Sequence, residues 1–318
     1  MTRDSFVIGV YHENMTDLSF LLAQSAGILN IATYYKPEVN HMSTRKLAVS
    51  LFVFALLAGT AGLAAEAGAS RTDEPAAAQG KLHMKKMKVD EFFEGQEGTI
   101  VLRDVQSGET FVYNEERANT RLTPESTFKV PNALIGLQVK AVRDEYDVKR
   151  WDGVEREFET WNRDHTLGSA MRESAIWYYQ DMAKNIGEQS MKQWLDRISY
   201  GNRDISGGID RFWLDSSLKI TPAEEAAFME QLLEEELPFD RSVMKTVKRM
   251  MILDEGDDYT LYGKTGTRLS DMGLGWFVGF LQKDGRSYVF ACNVAGSGSK
   301  AKTITLDILR KYKLLPAE

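Results

Sequence analysis

Two sets of short apolar, β-rich runs stand far apart in this chain, with a long helical stretch between them. That separation constrains the fold more than any other feature. Thr99–Val105 and Thr110–Asn114 flank Gln106-Ser107-Gly108-Glu109, a hairpin signal. Much later come Tyr259–Gly263, Leu274–Gln282 and Ser287–Val294, the last two joined by the turn Lys283-Asp284-Gly285-Arg286. Between the two sets, apolar spacing predicts helices over Pro131–Val142, Ala175–Ile186, Gln189–Ile198 and Pro222–Glu236. Thr221-Pro222-Ala223-Glu224 reads as an N-cap, a first-turn proline and a capping-box glutamate. A closing helix is expected over Thr303–Tyr312. The pattern predicts an α+β fold: a central antiparallel sheet assembled from distant parts of the chain, flanked by helices, with a helical region inserted in the middle.

The chain has 318 residues, of which 43% are hydrophobic, enough for a sizeable core. Its net charge of -7, with no basic stripe, argues against nucleic acid as a partner. Cys292 is the single cysteine, so no intrachain disulfide can form, and it reads as a small apolar residue in a strand. The four histidines, His12, His41, His83 and His165, show no metal-ligand spacing, so no metal is expected.

Met42 opens a basic stretch, the run LAVSLFVFALLAGTAGL follows, and small residues come next at Ala64, Ala65, Ala67 and Ala69. This is the order of a secretory signal peptide, over 42–69. Gly59 and Gly62 break the apolar run and favour cleavage over an uncleaved membrane anchor. The expected location is therefore secreted or periplasmic. Residues 1–41 read as an upstream extension of the frame, or as a genuine extra segment. Residues 70–90 read as a flexible leader, and 91–318 as the folded domain.

Two short motifs carry chemistry. In Ser126-Thr127-Phe128-Lys129, serine and lysine three apart on the first turn of a helix share a face. A lysine among apolar neighbours loses its charge and can take the serine proton, while amides at the helix start stabilise an oxyanion. In Lys264-Thr265-Gly266-Thr267, the lysine supplies a positive field and Thr265 a hydroxyl. Gly266 admits a ligand close to the backbone, and Thr267 offers an N–H across an edge strand. Each motif alone is weak. A solvated helix start or a strand-end turn explains either one. Together, Ser-x-x-Lys and Lys-Thr-Gly form a signature of penicillin-recognising serine enzymes.

The segment Pro124-Glu125-Ser126-Thr127-Phe128-Lys129-Val130-Pro131-Asn132 resembles the active-site serine region of class D β-lactamases, the oxacillinases. Ser174-Ala175-Ile176 resembles their Ser-x-Val motif, and Tyr200-Gly201-Asn202 their Tyr-Gly-Asn. Ser206–Leu214 and Gly275-Trp276-Phe277-Val278-Gly279 match further stretches of that class, of a Gram-positive-like type. The resemblance runs from about Glu94 to Leu315 and implies a β-lactamase/transpeptidase-like fold. It also implies a small-molecule β-lactam substrate and no cofactor beyond carbon dioxide, which forms a carbamate on Lys129. Phe128, Ile176 and Leu214 are its expected apolar walls, and the indole N–H of Trp213 its donor. The resemblance further assigns nucleophilic attack to Ser126, proton transfer to Ser174, and the oxyanion hole to the backbone of Ser126 and Thr267.

Two departures stand out. Ile176 replaces the usual valine, and Ala301 stands where many class D enzymes carry an arginine for the substrate carboxylate. Arg268 and Lys302 are the candidate replacements, beside Lys300. The rival readings are a non-hydrolysing penicillin sensor, a transpeptidase and a cell-wall binding module. The chain lacks a His-Glu-x-x-His protease motif and the transpeptidase Ser-x-Asn, and a binding module leaves Ser126, Lys129 and Lys264 unexplained.

Overall fold

A computed structural model describes residues 84–317. The expected extension 1–41, signal peptide 42–69 and residues 70–83 of the leader lie outside the described residues. The end of that leader departs from expectation. Met84–Lys86 form strand β1, pairing parallel with Thr110–Tyr113, strand β3. Met87 and Val89 are buried. The lysines around them hid a short apolar alternation, and lysine on an edge strand is a common guard against further pairing.

The remaining strands are β2 (Gly98–Asp104), β4 (Val148–Lys149), β5 (His165–Thr166), β6 (Ile252–Glu255), β7 (Tyr259–Thr267), β8 (Gly275–Lys283) and β9 (Arg286–Val294). Among the described residues, seven of the nine strands make one sheet in the order β1-β3-β2-β9-β8-β7-β6, antiparallel except for β1, and β4 and β5 pair apart. The helices are α1 (Asp90–Phe93), α2 (Glu115–Ala118), α3 (Lys129–Gln138), α4 (Leu167–Arg172), α5 (Ile176–Ile186), α6 (Glu188–Arg197), α7 (Pro222–Leu233), α8 (Arg241–Met250) and α9 (Gly298–Lys311). The expected hairpin, the late strands and the inserted helical region are all present.

Strand alternation sorts the sheet's side chains into two cores. Ile100, Leu102, Phe277, Leu281, Phe290 and Cys292 face α1 and α9. Val101, Trp276, Val278, Phe280, Val289 and Ala291 face the inserted helices. Both faces are covered, which is why the strands read as nearly continuous apolar runs. The Thr221 capping box forms as expected, with Thr221 accepting the Glu224 amide and Glu224 accepting the Thr221 amide.

Three boundaries shift. The helix expected from Pro131 starts at Lys129, and Pro131 sits where an amide has no helical partner to lose. The closing helix starts at Gly298 instead of Thr303, because Ser297 caps it by accepting the Lys300 amide. Lys264–Thr267 is part of β7, not a turn after it. That last shift shapes the site. β6 pairs with β7 only at Thr260–Tyr262, so the Lys264–Thr267 edge is left open for the segment carrying Ser126.

Candidate active site

Ser126 lies in a 3-10 turn, Glu125–Phe128, that runs directly into α3. The expectation of a plain α-helical first turn is corrected here. At three residues per turn, positions i and i+3 eclipse, which brings Ser126 and Lys129 into line. Lys129 Nζ lies 2.8 Å from Ser126 Oγ. The lysine is fully buried. Burial first, and the charge of Lys264 second, hold its amine well below the usual lysine range, while Glu125 opposes both.

Aromatic side chains cluster next to Lys129 in the chain and over its amine. Phe128 is fully buried and stacks on Trp213, with ring centroids 5.3 Å apart. Its edges meet Phe212 and Tyr200. The Tyr179 ring centre is 5.5 Å from Lys129 Nζ. Of the three residues expected as walls, Phe128 is fully buried within this aromatic cluster. Leu214 is half-buried against the main core, and Ile176 lines the cleft outside. The fully buried Trp213 has no acceptor for its Nε1–H among the described residues. A buried indole donor with no protein acceptor is uncommon and marks this position as one to explain.

The second serine–lysine pair faces the first. Lys264 Nζ donates to Ser174 Oγ at 2.7 Å and to the carbonyl of Thr265 at 2.9 Å. Burial pushes the Lys264 amine down to about 7. Ser174 joins α4 to α5 at a φ of 58°, a strained setting for a serine and one that aims its hydroxyl at β7.

Backbone direction supplies the remaining donors. Arg268 N donates to Leu274 O on the β8 side, and Gly263 N donates to Met251 O on the opposite side. Amide direction alternates along an antiparallel strand, so the Thr265 and Thr267 amides point away from β8, toward the open edge. The Ser126 turn lies against that edge. A Cβ added at Gly266 would stand 3.1 Å from Pro124 O and 3.2 Å from Ser126 N. Gly298 N in turn donates to Thr267 Oγ1 at 2.8 Å.

A cleft of about 140 Å³ opens on these groups. Ser126, Ser174, Ile176, Thr265 and Thr267 line it, with the polar Thr160 and Glu173 beside an apolar rim of Phe158, Trp161 and Leu269. Among the described residues, no group of three His, Cys, Asp or Glu side chains is arranged to hold a metal ion. His165 holds Ser169 Oγ at 2.9 Å and Thr160 O at 2.8 Å, bridging two segments.

The two candidates for a substrate carboxylate fare differently from the rest. Arg268 extends β7 past the cleft, but its guanidinium already donates to Asp271 at 2.8 and 2.6 Å. Lys302 is half-buried on α9, outside the cleft lining, and Ala301 beside it is fully buried. The structure brings neither into the cleft.

Several residues were missed at the sequence level. Glu125 accepts Thr123 Oγ1 at 2.6 Å and the Asp215 amide at 2.9 Å. Glu225 accepts Tyr200 Oη beneath the Ser126 turn. A signal for Glu225 was present: it sits among Ala226, Phe228, Met229 and Leu232, a carboxylate on an otherwise apolar helix face. Tyr200 and Asn202, quoted only for their resemblance, act structurally. Asn202 accepts the Lys219 amide and donates to Ser217 O, pinning both ends of the loop that contains Trp213.

A buried amine against a serine hydroxyl, a second lysine–serine pair opposite, and a strand edge turned toward both define a serine acyl-transferring site of the penicillin-recognising kind. The family described as "Penicillin binding protein transpeptidase domain" matches residues 98–311. "Probable beta-lactamase YbxI" of Bacillus subtilis (strain 168) is 65% identical over 259 residues, 81% of this chain and 95% of that protein. "Beta-lactamase OXA-48" of Klebsiella pneumoniae is 38% identical over 227 residues, 69% of this chain and 85% of that one. The solved structure "Class D beta-lactamase BAT-2" superposes with a TM-score of 0.72 at 70% identity, over 73% of this chain and 98% of that chain. The chain belongs to the class D β-lactamases.

Proposed function

We propose that this chain hydrolyses the amide bond of penicillin-type β-lactam antibiotics through an acyl-enzyme on Ser126. The observation that carries this reading is the fully buried Lys129 amine, 2.8 Å from Ser126 Oγ. An uncharged amine is a base; an ammonium is not.

Ser126 gives up its proton on the Lys129 side as Oγ bonds to the lactam carbonyl carbon. The amides of Ser126 and Thr267 hold the carbonyl oxygen as it gains charge. The carbon–nitrogen bond then breaks, and Ser174, backed by Lys264, delivers a proton to the departing nitrogen and is reprotonated with the proton taken from Ser126 and held on the Lys129 side. Deacylation runs the same path with water as nucleophile. Water loses its proton on the Lys129 side, its oxygen bonds to the ester carbon, and Ser126 Oγ leaves with a proton. Only an uncharged amine takes up carbon dioxide, and Lys129 in its aromatic pocket fits that requirement. Carbon dioxide bound there supplies an anionic oxygen base, for which Trp213 Nε1 is the available donor. The apolar rim of Phe158, Trp161 and Leu269 suits the nonpolar side chain of such a substrate. The signal-like segment 42–69 supports action outside the cytoplasm.

The test is hydrolysis of oxacillin and of a chromogenic cephalosporin by the purified protein, with and without added bicarbonate. Steady turnover that bicarbonate sustains is the expected result. A single burst of acylation with no turnover overturns the hydrolase reading in favour of a sensor or transpeptidase.

A further inference from the structure

Beneath the Ser126 turn lies a proton-counting problem that the reaction does not use. Thr127 Oγ1 is 2.8 Å from Pro124 O and 2.7 Å from Glu225 Oε1. Tyr200 Oη is 2.8 Å from the same Glu225 oxygen. All three are hydrogen-bond distances, and for each to be a full two-centre bond each needs its own proton. The two hydroxyls bring one each. Pro124 O is a carbonyl and brings none. If Glu225 were a carboxylate, the single Thr127 proton would be divided between Pro124 O and Glu225 Oε1, and at least one of these short contacts would set lone pairs against lone pairs.

We infer that Glu225 is a neutral carboxylic acid in the working protein and that in this form it positions the turn carrying Ser126. The order is then complete. Tyr200 donates to Glu225 Oε1, Glu225 donates through that oxygen to Thr127, and Thr127 donates to Pro124 O. Thr127 N also donates to Pro124 O, at 3.2 Å, so side chain and backbone close the turn on both sides of Ser126. Glu225 Oε2 has no partner among the described residues. As the carbonyl oxygen of a neutral acid it is far cheaper to leave unmet than as half of a buried anion.

The surroundings agree. Glu225 is fully buried, and burial pushes its carboxyl up to about 7. No cation compensates it among the described residues. On its own helix, Glu224 pairs with Arg121. From β2, Arg103 pairs with Glu230; from α8, Lys248 pairs with Glu235; from α2, Arg117 pairs with Glu97. The β8 and β9 side chains on this face are apolar. From the Ser126 turn, Lys129 is itself pushed toward neutrality and Glu125 lies with Asp215 and Arg268. Glu225 is thus a positioning residue, acting on Ser126 through Thr127.

The role rests on the proposed acylation of Ser126, but the protonation state does not. The experiment therefore compares Glu225→Gln, Glu225→Ala and the unaltered protein by two readouts. Thermal unfolding from about pH 5 to about pH 9 needs no substrate. The melting advantage of Glu225→Gln over the unaltered protein should grow as pH rises toward about 7, then level off. Parallel curves for the two proteins overturn the neutral acid. Single-turnover acylation by a chromogenic cephalosporin reads the positioning. Glu225→Gln should restore the acylation that Glu225→Ala loses by more than about tenfold, and should hold it to higher pH than the unaltered protein. Glutamine failing as badly as alanine also overturns the inference. If the unaltered protein is not acylated at all, the proposed reaction fails, and the unfolding curves still decide the state of Glu225.

Discussion

Lys264 Nζ lies 2.7 Å from Ser174 Oγ, and the two meet only because Ser174 is held at a φ of 58° and Lys264 is buried in mid-strand. Both conditions cost stability. The folded protein holds the lysine amine at about 7 against an ordinary 10.5, so it binds fewer protons than the unfolded chain between those values. Stability from this group therefore rises with pH through that window, and its full cost is present below about 7. Lys264→Met should raise the melting temperature at about pH 6, by an amount that shrinks toward about pH 10, with a free-energy ceiling of about 5 kcal/mol. The same variant should lose acylation of Ser126. Equal melting curves at both ends of the range would show that the lysine is not desolvated.

The orphan donor at Trp213 gives a second outcome. Trp213→Phe keeps an aromatic ring against Phe128 but removes the indole N–H, which has no acceptor in the described structure, and shrinks a fully buried side chain. The cavity should cost folding stability about 1–3 kcal/mol, a loss that added bicarbonate does not restore. Turnover should fall and recover on adding bicarbonate, with carbon-13 NMR showing a weakened carbamate signal on labelling with carbon dioxide. A variant with unaltered turnover in bicarbonate-free buffer would detach Trp213 from the base.

Gly266 tests how closely β7 must approach the nucleophile. An alanine methyl there meets Pro124 O, Ser126 N and Thr127 Cγ2 at 3.1 to 3.3 Å. The strand and turn must part by a few tenths of an ångström, and the Thr267 and Ser126 amides part with them. Gly266→Ala should cut the acylation rate by on the order of a hundredfold while costing little stability. Stopped-flow acylation paired with urea unfolding separates the two. A loss in stability without a loss in rate would mean that the contact only packs the sheet.

The elements most visible in the sequence were those with a strong period. The capped helix α7, the β8–β9 hairpin and the β2–β3 hairpin lie within a few residues of expectation. Ser126, Lys129, Ser174 and Lys264 come together as the motifs implied. The strand β1 was hidden because its lysines outnumber its buried residues. Gly298 and Ser299 are poor helix formers by type, so the sequence shows the closing helix only from Thr303, and the cap at Ser297 starts it earlier. Arg268 looked available because sequence shows a charge and not its partner, Asp271, three residues on. Glu225 was legible as an anomaly on α7, but its meaning needed Thr127 and Tyr200, which only the fold brings beside it.

Glu125 joins the nucleophile to the loop that carries Trp213. Its amide donates to Trp213 O at 3.0 Å, and its carboxyl accepts the Asp215 amide at 2.9 Å and Thr123 Oγ1 at 2.6 Å. To do this it adopts a φ of 53°, which costs any residue other than glycine about 1 kcal/mol. Glu125→Ala keeps that strain and strands two donors near the protein interior, for a loss of about 2 kcal/mol. Glu125→Gly strands the same donors but relieves the strain, so it should be the more stable of the two, by less than about 1 kcal/mol. Urea unfolding at neutral pH gives the ranking. Both variants also loosen the backbone tie to Trp213, and their turnover should become dependent on added bicarbonate. An alanine variant as stable as the unaltered protein, with turnover indifferent to bicarbonate, would mean that the loop holds Trp213 in place without help from the nucleophile turn.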